Sequence, residues 1–254
     1  MITIKSPEQI EGMLRAGKML ARLHRELRNV VKPGISTLEI DRFCEQWMLD
    51  HGATPEQKGY MGFPFATCAS VNDEICHGFP THRKLRDGDL LTIDMVLNLD
   101  GYLADSAWSY LVGNVSEETK RLYDVTKEAL YRGIDAAKIG ARIGDIGHAI
   151  QTYVEAQGFS VVRDFVGHGI GDEMHEDPQV PHFGKAGRGP RLLENMVFTI
   201  EPMINAGTYE LTIDKNDWTA RTRDGKYSCQ FEHTLALTKD GIMILTDQEH
   251  LDDV

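Results

Sequence analysis

Five residues of this sequence have the types and settings to act together. Asp94 and Asp105 lie in "LTIDMVLNLDGYLADSAW", Leu91 to Trp108, which reads as two apolar strands joined at Asn98-Leu99-Asp100-Gly101. With the turn placed between Leu99 and Asp100, the two acids face each other. Their Cβ atoms would then be about 4.5–5.5 Å apart. Like charges directly opposite are unfavourable by roughly 0.2–1 kcal/mol on an exposed sheet, and burial makes this worse. A solvated strand face, a proton-sharing acid pair and a bridged metal site all answer the difficulty. Three more residues favour the metal site. Glu201 in "FTIEPM" and Glu232 in "CQFEHTLAL" are acids in apolar strands, and His168 in "VGHGIG" has glycines on both sides that give room for close approach. Burying four carboxylates without cations would be very costly. Five ligands with bridging carboxylates suit two divalent ions about 3.5–4 Å apart.

The elements that must position these residues are legible in part. Ser6-Pro7-Glu8-Gln9 opens a first helix with a cap, a first-turn proline and a capping-box pattern; Lys32-Pro33-Gly34 stops it. Ser36 and Glu39 open a second helix that runs to Gly52. Tyr60 to Pro80, rich in Gly, Pro and aromatic residues, reads as loops and short strands, followed by the acid-bearing hairpin. Ser116 caps a third helix from Glu117 to Lys138, and a fourth runs from about Gly144 to Gly158. The remainder reads as strand and loop.

An internal repeat organises these pieces. "KPGISTLEIDRFCEQWMLDHG" from Lys32 and "KIGARIGDIGHAIQTYVEAQG" from Lys138 align without gaps, matching Lys32 with Lys138, Gly34 with Gly140, Ile40 with Ile146 and Gly52 with Gly158. "LLTID" ending at Asp94 and "VFTIE" ending at Glu201 follow at nearly the same offset. The chain is therefore expected to be one domain, residues 1–254, made of two similar α/β halves of about 1–113 and 114–254. Each half offers one acid from an equivalent strand.

Composition bounds the function. The chain has 254 residues and a net charge of −12, which suits a globular protein and argues against a broad nucleic-acid-binding face. No apolar run approaches the roughly 18 residues of a membrane span, and the N-terminus lacks a signal peptide's apolar segment. Cys44, Cys68, Cys76 and Cys229 form no CxxC pair, which points to a reducing, cytoplasmic setting.

"SVNDEICHG", "TIDMVLNLDGYLAD", "VGHGIG", "MHEDPQV", "FTIEPM" and "FEHT", in that order, resemble the type I methionine aminopeptidases of the bacterial kind. The resemblance runs from about Ile4 to Leu245. It implies an α+β, pita-bread fold with two pseudo-symmetric halves around a curved antiparallel sheet. Asp94, Asp105, His168, Glu201 and Glu232 match the family's five metal ligands, with Asp105 and Glu232 bridging. His77 in "ICHG" and His175 in "MHEDP" match its two cleft histidines. The implied activity is removal of the N-terminal methionine from nascent proteins, before a small second residue and after deformylation. A water shared by two metal ions would become the nucleophile near neutral pH. Glu201 would carry its proton to the leaving amine, His175 would stabilise the tetrahedral oxyanion, and His77 would hydrogen-bond the peptide nitrogen.

Methionine calls for a narrow apolar pocket with polarizable walls. Tyr60, Phe63, Cys68, His77 and Trp218 match the family's pocket; Met174 stands where other members often have Phe, and Gln57 where some have Cys. Co, Mn and Fe all suit the oxygen-rich site. The absence of an N-terminal zinc-binding or proline-rich extension and of a long insertion in the second half points to the short bacterial form. Lys215, Arg221, Arg223 and Lys226 form a basic segment expected to touch ribosomal RNA if it is not merely solvated. The chain is expected to be a monomer. Two other readings compete. One is an Xaa-Pro-cleaving peptidase of the same fold and ligands, whose members usually carry an extra N-terminal domain. The other is a non-catalytic binding protein on a degenerate pita-bread fold, which would have lost ligands.

Overall fold

Ser6 and Ser36 cap their helices through reciprocal bonds. The Ser6 hydroxyl accepts from the Gln9 N–H at 3.1 Å and the Ser6 N–H donates to Gln9 Oε1 at 2.8 Å. Ser36 and Glu39 repeat the arrangement at 3.2 and 2.8 Å. Each cap satisfies orphan donors of the first turn. The helices are α1 (Pro7–Val30), α2 (Thr37–Asp50), α3 (Glu117–Ala136, capped by Ser116) and α4 (Ile143–Ala156). α3 ends two residues before the predicted Lys138. In this computed structural model residues 1–251 are described. Among them, no helix is long and apolar enough to cross a membrane.

The first half carries strands β1 (Thr54–Pro55), β2 (Cys68–Val71), β3 (Glu74–Cys76), β4 (Leu90–Leu99) and β5 (Tyr102–Leu111). The second carries β6 (Ser160–Val161), β7 (Gly167–Gly169), β8 (Glu176–Val180), β9 (Val197–Ile200), β10 (Met203–Asn205), β11 (Leu211–Ile213), β12 (Ala220–Thr222), β13 (Ser228–Gln230), β14 (His233–Thr238) and β15 (Gly241–Ile244). The pairings between these strands are antiparallel. β1, β4 and β2 lie side by side with β5 on β4, and β15-β14-β9-β7-β8 form a second sheet. Two three-stranded sheets, β13-β10-β6 and β11-β12-β3, complete the set.

The repeat has a counterpart in three dimensions. α2 lies between Gly34 (φ 94°) and Gly52 (φ 77°), and α4 between Gly140 (φ 88°) and Gly158 (φ 80°). These left-handed positions admit glycine without steric cost, which explains why the glycines are the repeat's clearest matches. The Gly34 N–H donates to the Leu85 carbonyl at 2.8 Å, and the Gly140 N–H to the Leu192 carbonyl at 2.8 Å.

The hairpin register differs from the expectation. The turn is Asp100-Gly101, at φ 53° and 87°, the two-residue loop with both central residues left-handed that right-twisted strands prefer. Asp94 therefore faces Ala107, and Asp105 faces Val96. A slip of two residues keeps both acids on one face, whereas a slip of one would have separated them.

Glu201 and Glu232 are likewise not within strands. Glu201-Pro202 separates β9 from β10, and Phe231-Glu232 separates β13 from β14. Pro202 has no N–H to continue the ladder. The Glu232 N–H leaves its own sheet and donates to the Ala107 carbonyl of β5 at 2.8 Å. The Ser106 hydroxyl returns a bond to the Glu232 carbonyl at 3.0 Å, and Ser109 donates to the Gln230 carbonyl at 2.7 Å. These bonds stitch the two halves together where the acids lie. Behind them one apolar core holds Leu20, Leu23 and Leu27 of α1, Ile93 and Leu97 of β4, Leu130 and Ile134 of α3, and Phe198 and Phe231.

Candidate metal centre

A cleft of about 690 Å³ opens where the halves meet. Its lining includes Asp94, Asp105, His168, Glu201 and Glu232, together with His77 and His175. The four acids reach it by two routes. Asp94 and Asp105 project from one face of the β4–β5 hairpin, and Glu201 and Glu232 from the adjoining strand breaks. His168 comes from β7, where a Cβ on Gly167 would lie 2.5 Å from the Thr199 carbonyl and one on Gly169 2.1 Å from that of Asp177. The glycines thus serve close approach of backbones, which places the imidazole in the cleft.

Ligand atoms of Asp105, His168 and Glu232 lie within 4.8 Å of one another. His168 Nε2 is 3.5 Å from Asp105 Oδ2 and 3.4 Å from Glu201 Oε1. Its Nδ1 lies 3.0 Å from the Gly169 carbonyl, so in the neutral ring Nδ1–H donates there and Nε2 turns a lone pair toward the carboxylates. Burial holds the ring neutral by lowering its pKa to about 4. Asp105 Oδ1 and both Glu232 oxygens are buried without a hydrogen-bond partner. Burial, reinforced by the neighbouring acids, raises Asp105 and Glu232 well above the carboxylate range. Burial also raises Asp94 to about 7, and burial together with Asp94 raises Glu201 to about 8. Acceptor faces acceptor, with hard oxygen donors and one imidazole: this set fits divalent cations.

The supporting bonds were not foreseen. Thr199 Oγ1 accepts from the His168 N–H at 3.1 Å and donates to Glu201 Oε1 at 2.8 Å. Gln230 Nε2 lies 3.4 Å from Glu201 Oε2, and the Glu201 N–H donates to His182 Nε2 at 3.0 Å. Thr199 lies in β9 two residues before Glu201, which follows the strand's end, so alternation continued through "VFTIE" offered a signal. His182 and Gln230 are distant in sequence and had none.

The predicted pocket residues Gln57, Tyr60, Phe63, Cys68, His77, Met174, His175 and Trp218 all line the same cleft. Phe63 meets Trp218 edge to face at 5.1 Å, and His77 meets Trp218 at 6.2 Å and Phe165 at 5.2 Å. His77 sits at φ 55°, a left-handed conformation uncommon for a side chain with a Cβ. His175 Nδ1 is 3.0 Å from the Tyr60 hydroxyl, and its ring lies 4.3 Å from that of His168. Gln57 Nε2 approaches Cys68 Sγ at 3.6 Å. Phe165, Val96 and Met203 extend the apolar wall without having been predicted.

Within the basic segment, one residue is held by acids. Arg221 pairs with Asp73 at 2.7 Å, Asp214 at 2.8 Å and Glu74 at 3.1 Å. Its charge is matched internally and ties β12 to β3. Arg223 lies 3.5 Å from Glu210, and Lys215 and Lys226 are exposed.

Residues 11–239 match the model of metallopeptidase family M24. Methionine aminopeptidase 1 of Bacillus subtilis is 50% identical over 97% of this chain and 99% of its own length. The crystal structure of methionine aminopeptidase from Rickettsia prowazekii superposes with a TM-score of 0.96 at 42% identity, covering 97% of this chain and 100% of that one. The prolidase from Pyrococcus furiosus reaches a TM-score of 0.79 at 24% identity, over 97% of this chain and 66% of that one, a likeness of fold alone.

Proposed function

The chain belongs to metallopeptidase family M24, as a methionine aminopeptidase, and we propose from that premise how its cleft works. It is a hydrolase that removes the N-terminal methionine of polypeptides, and the prolyl-peptidase and binding-protein readings are not favoured. The observation that carries the reading is the meeting of His168 with the unpartnered, buried oxygens of Asp105 and Glu232 beside an apolar wall.

Asp94, Asp105, His168, Glu201 and Glu232 would hold two divalent cations. When bound, these cations supply Lewis acidity that polarises the scissile carbonyl and lowers the pKa of water. Glu201 takes the proton of the attacking water and returns it to the leaving amine. Its carboxylate is aimed by Thr199, which holds one oxygen. His175 donates to the oxyanion of the tetrahedral intermediate, and its Nδ1 contact with Tyr60 sets the ring's direction. His77 hydrogen-bonds the peptide nitrogen. Phe63, Trp218, Cys68, Met174 and Tyr60 take the methionine side chain, with Gln57 behind Cys68. The substrate's free α-amine enters this acidic floor, so a formyl group would block it, and a small second residue is preferred.

Residues 1–254 act as one catalytic domain whose halves, about 1–113 and 114–254, each contribute part of the site. The protein works as a cytoplasmic monomer on nascent chains, with Co, Mn or Fe as its metal. Lys215, Arg223 and Lys226, without Arg221, approach ribosomal RNA; ribosome co-sedimentation insensitive to reversing these three charges would remove that contact.

The test is methionine release from Met-Ala-Ser with Mn(II) or Co(II), repeated after chelation, with Gly-Pro-Ala alongside. Metal-dependent release from Met-Ala-Ser alone is expected. Cleavage of Gly-Pro-Ala instead would reinstate the prolyl-peptidase reading.

A further inference from the structure

Lys5 is only 4% exposed, an unusual setting for a lysine. Its Nζ lies 2.5 Å from Glu176 Oε2 and also donates to the Thr3 hydroxyl. The other Glu176 oxygen accepts from the Glu173 N–H at 3.2 Å. The ammonium closes against Gly171, where an added Cβ would lie 2.2 Å from Lys5 Nζ and 2.9 Å from Glu176 Oε1. The Gly171 N–H donates in turn to the Glu173 carbonyl at 3.1 Å, and the Lys5 N–H to the Asn195 carbonyl at 2.9 Å. A single buried charge thus sits where the chain leaving His168 meets the turn that bears Met174 and His175.

We propose that Lys5 is a positioning residue for His175: its ammonium, clamped to Glu176 against Gly171, holds the 171–176 turn so that the His175 ring stands against His168 and Tyr60. The chain between His168 and His175 is short, and the bonds around Glu173 and Glu176 give it a fixed shape only while Glu176 is anchored. Lys5 comes from outside this turn and supplies the counter-charge that ties Glu176 to the N-terminal segment, beside the Thr3 hydroxyl, which donates to the same Glu176 oxygen at 2.6 Å. A neutral replacement leaves Glu176 part-buried without its counter-charge, which drives the carboxylate toward water and the turn with it. The inference rests on the reading of His175 as the group that meets the oxyanion.

The experiment is a double-mutant cycle on the Co(II)-loaded protein with Met-Ala-Ser, using Lys5→Met, His175→Ala and the combination. Lys5→Met is expected to lower kcat by about ten- to a hundredfold, with KM within about threefold, because the lost alignment matters in the transition state. In the His175→Ala background the same substitution should change kcat by less than about twofold. Equal losses in both backgrounds would overturn the proposal and leave Lys5 a purely structural residue. Should Lys5→Met fail to fold, Glu176→Gln, nearly equal in volume, enters the same cycle with the same two outcomes. A second readout needs no activity. The Cε1–H resonance of His175, assigned by its loss in His175→Ala, should move in Lys5→Met or Glu176→Gln; an unmoved resonance overturns the proposal. A wild-type protein that released no methionine would overturn the functional reading instead, while the resonance would still decide whether Lys5 holds His175.

Discussion

Asp94 and Asp105 stand diagonally across the β4–β5 hairpin, Asp94 opposite Ala107 and Asp105 opposite Val96. Diagonal neighbours are separated by about 7–8 Å between Cα atoms, wider than a facing pair. The side chains still converge across that diagonal, close enough for the two carboxyl groups to interact directly, which couples their protonation. Both remain on one face of the hairpin, and Glu201 and Glu232 come to that face from the other half.

Asp105→Asn removes one of the crowded acids. In the metal-free protein it should melt no lower than wild type, because a source of buried like-charge repulsion is gone. Methionine release should disappear. Metal ions at about 100 times their Kd should stabilise wild type by about 2.7 kcal/mol, and this gain should be lost in the variant. Thermal melts with and without Mn(II) decide the matter; an undiminished metal-induced shift would remove Asp105 from the ligand set.

Thr199→Val keeps the shape of the side chain and deletes its hydroxyl. The His168 N–H then loses its acceptor and Glu201 its donor. Leaving such buried groups unpaired costs about 1–3 kcal/mol. If His168 and Glu201 hold metal as proposed, loss of this partner should lower metal affinity or activity by about 10–100-fold. Calorimetric titration with Co(II), beside initial rates, checks both; wild-type values for affinity and kcat would show that Thr199 carries no such role.

Trp218→Leu breaks the edge-to-face contact with Phe63. Such a pair contributes about 0.5–1.5 kcal/mol beyond its area. If this wall takes the methionine side chain as proposed, it meets it equally in ground and transition states, so KM should rise by up to about tenfold while kcat stays within about threefold. Initial rates over a range of Met-Ala-Ser concentrations are the measurement, and an unchanged KM would place Trp218 outside the pocket.

His24 sets an acid limit on stability away from the cleft. It is buried in α1, with Nδ1 2.8 Å from the Tyr110 hydroxyl and Nε2 3.1 Å from the Ser106 carbonyl, and burial lowers its pKa to about 3. The unfolded chain takes up a proton near the ordinary value of 6.5 while the folded chain does not. Stability from this site is therefore full above 6.5 and falls as the pH drops from there toward 3. The slope is about 1.4 kcal/mol per pH unit. Urea unfolding between pH 7 and pH 5 should show a shallower loss for His24→Gln than for wild type; identical slopes would contradict the assignment.

Much of the site was legible because its chemistry is local in sequence. An acid in an apolar segment, or a histidine between glycines, is anomalous wherever it stands, so Asp94, Asp105, His168, Glu201 and Glu232 could be named without a fold. The capping serines and the glycines flanking α2 and α4 were legible for a similar reason: a cap bond spans three residues, and a left-handed backbone position selects its own residue type. The hairpin register is legible too, since Asp100-Gly101 is itself the two-residue turn signal and sets Asp94 opposite Ala107 rather than Asp105.

Other features depended on chain segments far apart. No local pattern tells that the N–H of Glu232 crosses to Ala107, that Arg221 is matched by three acids, or that Thr199, Gln230 and His182 surround Glu201. Hydrogen bonds and ion pairs form wherever packing brings a donor to an acceptor, and sequence separation does not constrain that meeting. The sequence by itself determined which acids and which histidine stand out in apolar or glycine-flanked segments and which segments would be helical. Only the tertiary structure decided that the acids meet at the seam between the halves, because the strands break at Glu201-Pro202 and Phe231-Glu232 and the second break exchanges its bonds with β5.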